Sequence, residues 1–306
     1  MKIKSSIIIF LVICSLVFIS ADCGGKKDPG AGTYLGGTQG VTIAFKASSP
    51  VPTFQQKDTV PVKVDLKNLG EYDLQIGEAK AKIFGINLAN FGLTSAGNYK
   101  GTPGLLRKKS EFFPEGGTQT VDFGSLKYNL PISGELEKYT LRAKVCYPYQ
   151  TLAAVNVCMT SANLQDQTTG ICAIAGEKVV AGDISGAPLQ ITSITQELRG
   201  ANQVKFNLKI ENKGAGKVFL PEADCTKLEE NIENLDKKDQ VVVEFISPTD
   251  IKCGQEDSNK ATINLIGTTG TLICYKDVTN PFVENLKISL KYVYVSETSK
   301  EVTIYK

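Results

Sequence analysis

Apolar and polar residues alternate along most of this chain, which is the two-residue period of a half-buried strand. In "PVKVDLKNLG" Val62, Val64 and Leu66 fall on one face and Lys63, Asp65 and Lys67 on the other. Asn68-Leu69-Gly70 closes that run with a turn signal. In "QVKFNLKIENKG" Val204, Phe206, Leu208 and Ile210 repeat the pattern, and Asn212-Lys213-Gly214 repeats the turn. A second pair of segments also matches. "LRAKVCYPYQTLAAVNV", from Leu141, aligns without gaps with "ISLKYVYVSETSKEVTI", from Ile288, at an offset of 147. Leu141 meets Ile288, Tyr147 meets Tyr294, Thr151 meets Thr298 and Val155 meets Val302. Each reads as strand, short turn, strand: a closing β-hairpin.

The chain is therefore expected to hold two copies of one unit, each of about 120 residues and long enough to bury its own core. The expected organisation is a signal peptide or membrane anchor over 1–22, a flexible Gly-rich tether over 23–39, a first domain over 40–159, a linker over 160–186 and a second domain over 187–306. Helical periodicity is confined to Cys225–Lys238, where Leu228, Ile232 and Leu235 share a face. Many short strands, frequent turn residues and this unit length predict an all-β fold: two tandem immunoglobulin-like antiparallel β-sandwich domains.

The stretch "TVPVKVDLKNLGEYDL", an alternating strand ending in Asn-x-Gly, resembles the immunoglobulin-like repeats of archaeal and bacterial surface proteins known as CARDB (cell-adhesion-related) domains. "NQVKFNLKIENKGAGKV" resembles them too. The resemblance covers about a third of each domain. It implies an exposed, often multi-domain surface protein, and it carries no catalytic residues. The cysteines and a long loop in the first domain depart from the pattern, so no ligand is carried over.

The first residues indicate an address. Met1-Lys2-Ile3-Lys4 is a basic start, and an apolar run follows from Ile7 to Ile19. With Ser20 and Ala21 it reaches about 15 residues, or about 22 Å of helix, against the roughly 30 Å of a bilayer core. A basic start, a short apolar centre and a small-residue end read as a secretory signal; an uncleaved membrane helix is the alternative. Cleavage could fall after Ala21, or before Cys23 with that thiol carrying lipid. Asp22 departs from the small residue usual before a lipid-bearing cysteine. The glycine-rich "GGKKDPGAGTYLGGTQG" that follows suits a tether.

Of eight cysteines, Cys14 lies in the apolar run, so seven remain, an odd number for an exported chain. Setting Cys23 aside leaves six that can pair fully. Cys23 is thus the expected lipid anchor, with a free or intermolecular thiol as the alternative. The expected location is the extracellular face of the cytoplasmic membrane. Cys253–Cys274 is the first expected disulfide. Cys158–Cys172 would staple the linker, with Cys146–Cys158 as its rival. If Cys158 takes Cys172, then Cys146 and Cys225 remain to join the two domains.

The formal charge is +2, and no basic surplus points to nucleic acid. Histidine is absent, which rules out histidine-based triads and the two-histidine zinc helix. No enzyme activity, cofactor or metal is expected. "GAGTYLG" follows no strand and opens no helix, so it is not read as a phosphate-binding loop. Asp250, Glu256 and Asp257 fit no calcium loop and read as a solvated turn.

Leu88–Gly117 lacks a clear period over about 30 residues, and loops beyond about 12–15 residues are often functional. It carries Phe91, Tyr99, Phe112 and Phe113 beside Arg107, Lys108 and Lys109. Aromatics with arginine are the usual anchors of protein recognition. Tyr99, Arg107, Phe112 and Phe113 are the candidate partner-binding residues; the alternative is that the rings cap the sandwich and the basic trio is solvated. The expected function is a non-catalytic, membrane-anchored surface protein that binds a protein or envelope component. The alternative is an accessory or substrate-binding subunit of an extracellular enzyme or transporter, which would require a cleft lined by carboxylates.

Overall fold

β-Branched and aromatic residues at alternate positions make strands of most of the chain. The computed structural model describes residues 33–167, 170–228, 232–254 and 258–306. The segment over 1–22, Cys23, Glu256 and Asp257 lie outside the described residues. The strands are β1 (Val41–Phe45), β2 (Thr53–Gln55), β3 (Val60–Asn68), β4 (Lys80–Phe84), β5 (Lys100–Gly101), β6 (Thr118–Leu126), β7 (Leu136–Met159) and β8 (Leu189–Arg199). They continue with β9 (Gln203–Asn212), β10 (Lys217–Phe219), β11 (Gln240–Ser247), β12 (Lys252–Cys253), β13 (Lys260–Asn264), β14 (Thr269–Asp277) and β15 (Phe282–Tyr305). The chain is all-β, and nearly all the pairing is antiparallel.

One large sheet runs β13-β11-β15-β7-β4-β5, with β10 and β2 also on β15. Two smaller sheets, β1-β3-β6 and β12-β14-β9-β8, belong one to each half of the chain. The face-to-face packing follows from the alternation. Val60, Val62, Val64 and Leu66 of β3 and Val204, Phe206, Leu208 and Ile210 of β9 are buried. They share one core with Leu141, Val145, Val155 and Val157 of β7 and Leu286, Ile288, Leu290 and Val302 of β15.

The expected closing hairpins are not formed. β7 and β15 are each a single strand of 24 residues, and they pair with one another along their whole length, from Leu136↔Tyr305 to Met159↔Phe282. Gly32–Lys306 is accordingly one compact unit, its halves sharing a sheet. The segment around Pro148 can stay extended because Ala154 N–H donates to Asp183 O (2.9 Å), which shows that even-numbered residues of β7 turn their backbone groups away from β15. A proline there removes no bond of the central ladder.

The ladder has a pseudo-twofold centre at Pro148↔Val293, relating residues at an offset of 145 instead of the 147 of the sequence alignment. The flanking strands obey it: β4 pairs with Arg142–Cys146 of β7, and β11 pairs with Lys287–Lys291 of β15. Around the centre Tyr147, Tyr149, Tyr292 and Tyr294 form a ring-to-ring cluster with centroids 5.5–6.2 Å apart. The first tyrosine of each pair holds the opening strand of its half. Val41 N–H donates to Tyr147 Oη (3.0 Å), and Tyr292 Oη meets the backbone of Leu189. The second holds the Asn-x-Gly turn: Tyr149 Oη donates to Asn68 Oδ1 (3.2 Å) and Tyr294 Oη to Asn212 Oδ1 (3.1 Å). The turns share their central bonds, and Asn68 Nδ2 donates in addition to Leu106 O (3.2 Å). Gly70 and Gly214 N–H donate to the asparagine Oδ1, and each asparagine Nδ2 donates to a carbonyl four residues on, Tyr72 or Gly216. The glycines are required by approach, since a Cβ on Gly70 or Gly214 would stand 2.1 or 2.2 Å from the tyrosine hydroxyl.

Three disulfides tie the fold. Cys253–Cys274 joins facing positions of β12 and β14, and Cys158–Cys172 holds the segment after β7. Cys146–Cys225 fixes the Leu220–Asp239 segment to the outer face of the large sheet. There Phe219, Ala223, Cys225 and Leu228 pack on Cys146, Val293 and Val295 as a second cluster. Among the described residues of Cys225–Lys238, where helical periodicity is expected, Ile232–Leu235 is helical, and Leu235 is exposed. Leu220 N–H bonds Lys237 O and Phe219 bridges Lys238, so both ends of the segment return to β10.

Candidate functional site

Leu88–Gly117 divides into a packed part and a presented part. Asn87 Oδ1 accepts from Ala89 N–H and starts a 3-10 turn, Leu88–Phe91, which Gly92 ends at φ 65°. That turn drives Phe91 into the core, 5.1 Å from the Tyr128 ring and 4.9 Å from Tyr139. A second turn, Thr94–Gly97, buries Ala96, and Leu93 and Leu106 are buried with it. These apolar positions cap the first half. The capping alternative describes this part of the loop.

Arg107–Gly117 is built differently. Its backbone is bound to the first Asn-x-Gly turn: Lys109 N–H donates to Gly70 O (2.7 Å), and Asn68 N–H donates to Gly117 O (2.9 Å). Gly117 N–H closes onto Arg107 O (2.8 Å), and Lys108 N–H donates to Asp73 Oδ1 (2.7 Å). Gly116 has φ +66°, and a Cβ there would lie 1.8 Å from Asn68 O, so only glycine makes this return. Reciprocal bonds between Ser110 and Phe113 (3.2 and 3.0 Å) form the tip. Phe112 on that tip is 96% exposed and Phe113 41%. Arg107 and Lys108 are exposed beside them. Lys67 bonds Glu115 at 3.0 Å, and this ammonium holds the Glu115 carboxyl below its usual range. The result is an apolar ring held outward by a rigidly tied backbone among cations.

Tyr99 is used otherwise. It is half-buried against the second cluster on the outer face, with Lys82 Nζ 4.9 Å from its ring centroid. The structure thus places Arg107, Phe112 and Phe113 on one anchored segment and assigns Tyr99 to packing. Sequence spacing could not separate the two groups, because a ring reads the same whether it points in or out of a loop with no period. Asp250 is bonded to Lys276. Of the glycine-rich stretch, Leu35 and Gly36 N–H donate to the Glu71 carboxylate (3.0 and 2.9 Å), which also accepts from Gly186 N–H. Tyr34 N–H donates to Gly182 O (2.9 Å), so from Tyr34 onward this stretch belongs to the folded body. Glu71 escaped notice in the sequence, having no motif; its role comes from gathering three backbone amides.

No family model and no characterised protein matches this sequence. A solved structure it matches is a secreted serine protease, VesC, from Vibrio cholerae, at 11% identity and a TM-score of 0.19. The match covers 82% of this chain and 49% of that one, so the chain spans about half its length. A likeness of that score carries no argument about fold or activity. Three disulfides fit an oxidising, extracytoplasmic environment. Among the described residues, no helix is long and apolar enough to cross a membrane.

Proposed function

We propose that this chain is a non-catalytic, exported surface protein that binds a protein or envelope component through Arg107–Phe113. In this reading its halves are tandem immunoglobulin-like sandwiches of the CARDB kind, and Cys23 carries lipid at the outer face of the cytoplasmic membrane. The observation that supports it is Phe112: a large ring held in solvent at an entropic cost already met by the bonds from Gly70, Asp73 and Ser110 to its loop. Preorganised aromatic anchors beside arginine are the groups that dominate protein recognition. The odd cysteine count and the glycine-rich start support the anchor.

The test is crosslinking capture from intact cells with the wild type and with Phe112→Ser/Arg107→Ser. Both side chains are exposed, so the variant should melt within the ~0.5 kcal/mol typical of surface changes while losing its captured partner. A partner retained by that variant would overturn the assignment of the surface. The anchor is tested separately by intact mass: an unlipidated mature form beginning at Asp22 would rule out lipid on Cys23.

A further inference from the structure

The central pseudo-twofold does not extend to everything that lies along the outer edges of β7 and β15. On the side away from β7, β15 pairs in turn with β11 at Lys287–Lys291, β10 at Val293–Val295 and β2 at Thr303–Tyr305. Among the described residues, no strand pairs on that side from Ser296 to Val302. In the other half the related stretch is covered. The segment Asp183–Ser185 lies along β7 there: Ala154 N–H donates to Asp183 O (2.9 Å), Ser185 N–H to Leu152 O (2.8 Å) and Leu152 N–H to Ser185 Oγ (2.8 Å). Ala153 and Ile184 form the antiparallel bridge between them. The offset of 145 maps Leu152, Ala153 and Ala154 onto Glu297, Thr298 and Ser299.

These positions present usable groups. Thr303 N–H donates to Pro52 O (2.8 Å) and Tyr305 O accepts from Gln56 N–H (2.7 Å), so odd-numbered residues of β15 face this side. Glu297, Ser299 and Glu301 have the same parity. A cleft of about 570 Å³ opens here, between Ser296 and Glu297, the edge strand β1 at Thr42 and Ile43, and the turn carrying Lys213 and Lys217. The Glu297 carboxylate is taken by Arg142 (2.8 Å), and Lys213 is paired with Glu211 (2.8 Å), leaving Lys217 exposed at the rim.

We propose that the β15 edge at Glu297–Glu301 binds an extended segment of a partner protein as an added antiparallel strand. An open edge takes a peptide through main-chain bonds, with side-chain pockets setting the choice. The strap that covers the related edge states the chemistry: a short extended run with an acidic residue before a β-branched one, as in Asp183-Ile184-Ser185. This surface is distinct from Arg107–Phe113, so the two readings fail separately.

The test uses a fluorescent peptide with the strap's own sequence, residues 179–188 (VVAGDISGAP), titrated with the purified mature chain by anisotropy. Saturable binding is expected, weakened at least tenfold by Ser299→Pro and unchanged by Ser299→Ala. The proline removes only the N–H on the open side, which edge strands tolerate. Should Ser299→Pro fail to fold, the peptide N-methylated at its serine amide, the donor to Leu152 O within the chain, gives the same test and should not bind. Absence of saturable binding, or equal binding by Ser299→Pro or the N-methylated peptide, would overturn the proposal. A dimer of the mature chain dissociated by Ser299→Pro would assign the edge to a second copy and overturn the partner reading as well.

Discussion

The two Asn-x-Gly turns share their asparagine–glycine and asparagine–tyrosine hydrogen bonds but have different steric surroundings, and the difference predicts contrasting double-mutant behaviour. A Cβ on Gly214 would stand 2.2 Å from Tyr294 Oη, with Pro188 Cβ next at 2.9 Å and Tyr294 Cζ at 3.1 Å. The clash is mainly with one hydroxyl. A Cβ on Gly70 would stand 2.1 Å from Tyr149 Oη, but also 2.5 Å from Gly186 O and 2.6 Å from Gln39 O. Those carbonyls are backbone, and Gly186 O is held by Glu71 N–H (2.8 Å). An added methyl in a closely packed site typically costs about 1–3 kcal/mol. Loss of a buried hydroxyl's bond costs about 1 kcal/mol. Gly214→Ala and Tyr294→Phe together should therefore cost less than their sum, by about 1–2 kcal/mol, since the phenylalanine vacates the space the methyl needs. Gly70→Ala with Tyr149→Phe should be additive within about 0.5 kcal/mol, because two carbonyls remain in the way. Urea unfolding of the seven proteins in the two cycles, which share the wild type, read by tyrosine fluorescence, measures both. Equal coupling in the two cycles would refute the reasoning.

Two further outcomes follow from buried groups and crosslinks. Lys144 is 1% exposed, its Nζ 4.7 Å from the Phe84 ring centroid; burial first, then Lys82 and Lys217 against the favourable Glu297, push its pKa down to about 8. The folded value is below the unfolded one, so the unfolded chain holds more protons from about pH 8 up to the ordinary lysine value of 10.5, and the penalty of this lysine fades as pH rises through that window. Lys144→Met should raise the urea midpoint at pH 7, with the gain shrinking toward pH 10.5; a pH-independent difference would count against it. Among the disulfides, Cys146–Cys225 closes a separation of 79 residues and Cys158–Cys172 one of 14. On loop entropy, paired alanine replacement should cost about 4–5 kcal/mol for the first and about 3 kcal/mol for the second, a rank order that thermal melts of the two variants would reverse if native strain dominated.

The alternating pattern made the strand content legible, because burying one face of a strand forces every second residue to be apolar. Val62 to Leu66 and Val204 to Ile210 are in the core as that period requires. The Asn-x-Gly signal was legible for the same reason: a turn with two short polar bonds needs those residue types. Arg107 and Phe112 could be singled out as residue types, but their presentation could not. It depends on Gly70, Asp73 and Asn68, which lie more than thirty positions away in the chain and bond its backbone.

Sequence alone determined strand character, the repetition of a unit, and residue types able to cross-link and to recognise. Tertiary structure decided how the repeats meet. A period of two is unchanged by a slip of two residues, so the alternating apolar positions fit 147 as well as 145; the Tyr-x-Tyr pairs match in full only at 145, and the ladder through Pro148↔Val293 selects that offset. The same degeneracy hid the long strands. "SETSK" is polar as a turn is polar, yet Ser296–Lys300 is extended strand, exposed on its outer edge because, among the described residues, the strap present on β7 has no counterpart there. Local composition reports how wet a residue is; whether the wet stretch bends or runs straight depends on what pairs beside it, and here that partner, β7, is contributed by the other half of the chain.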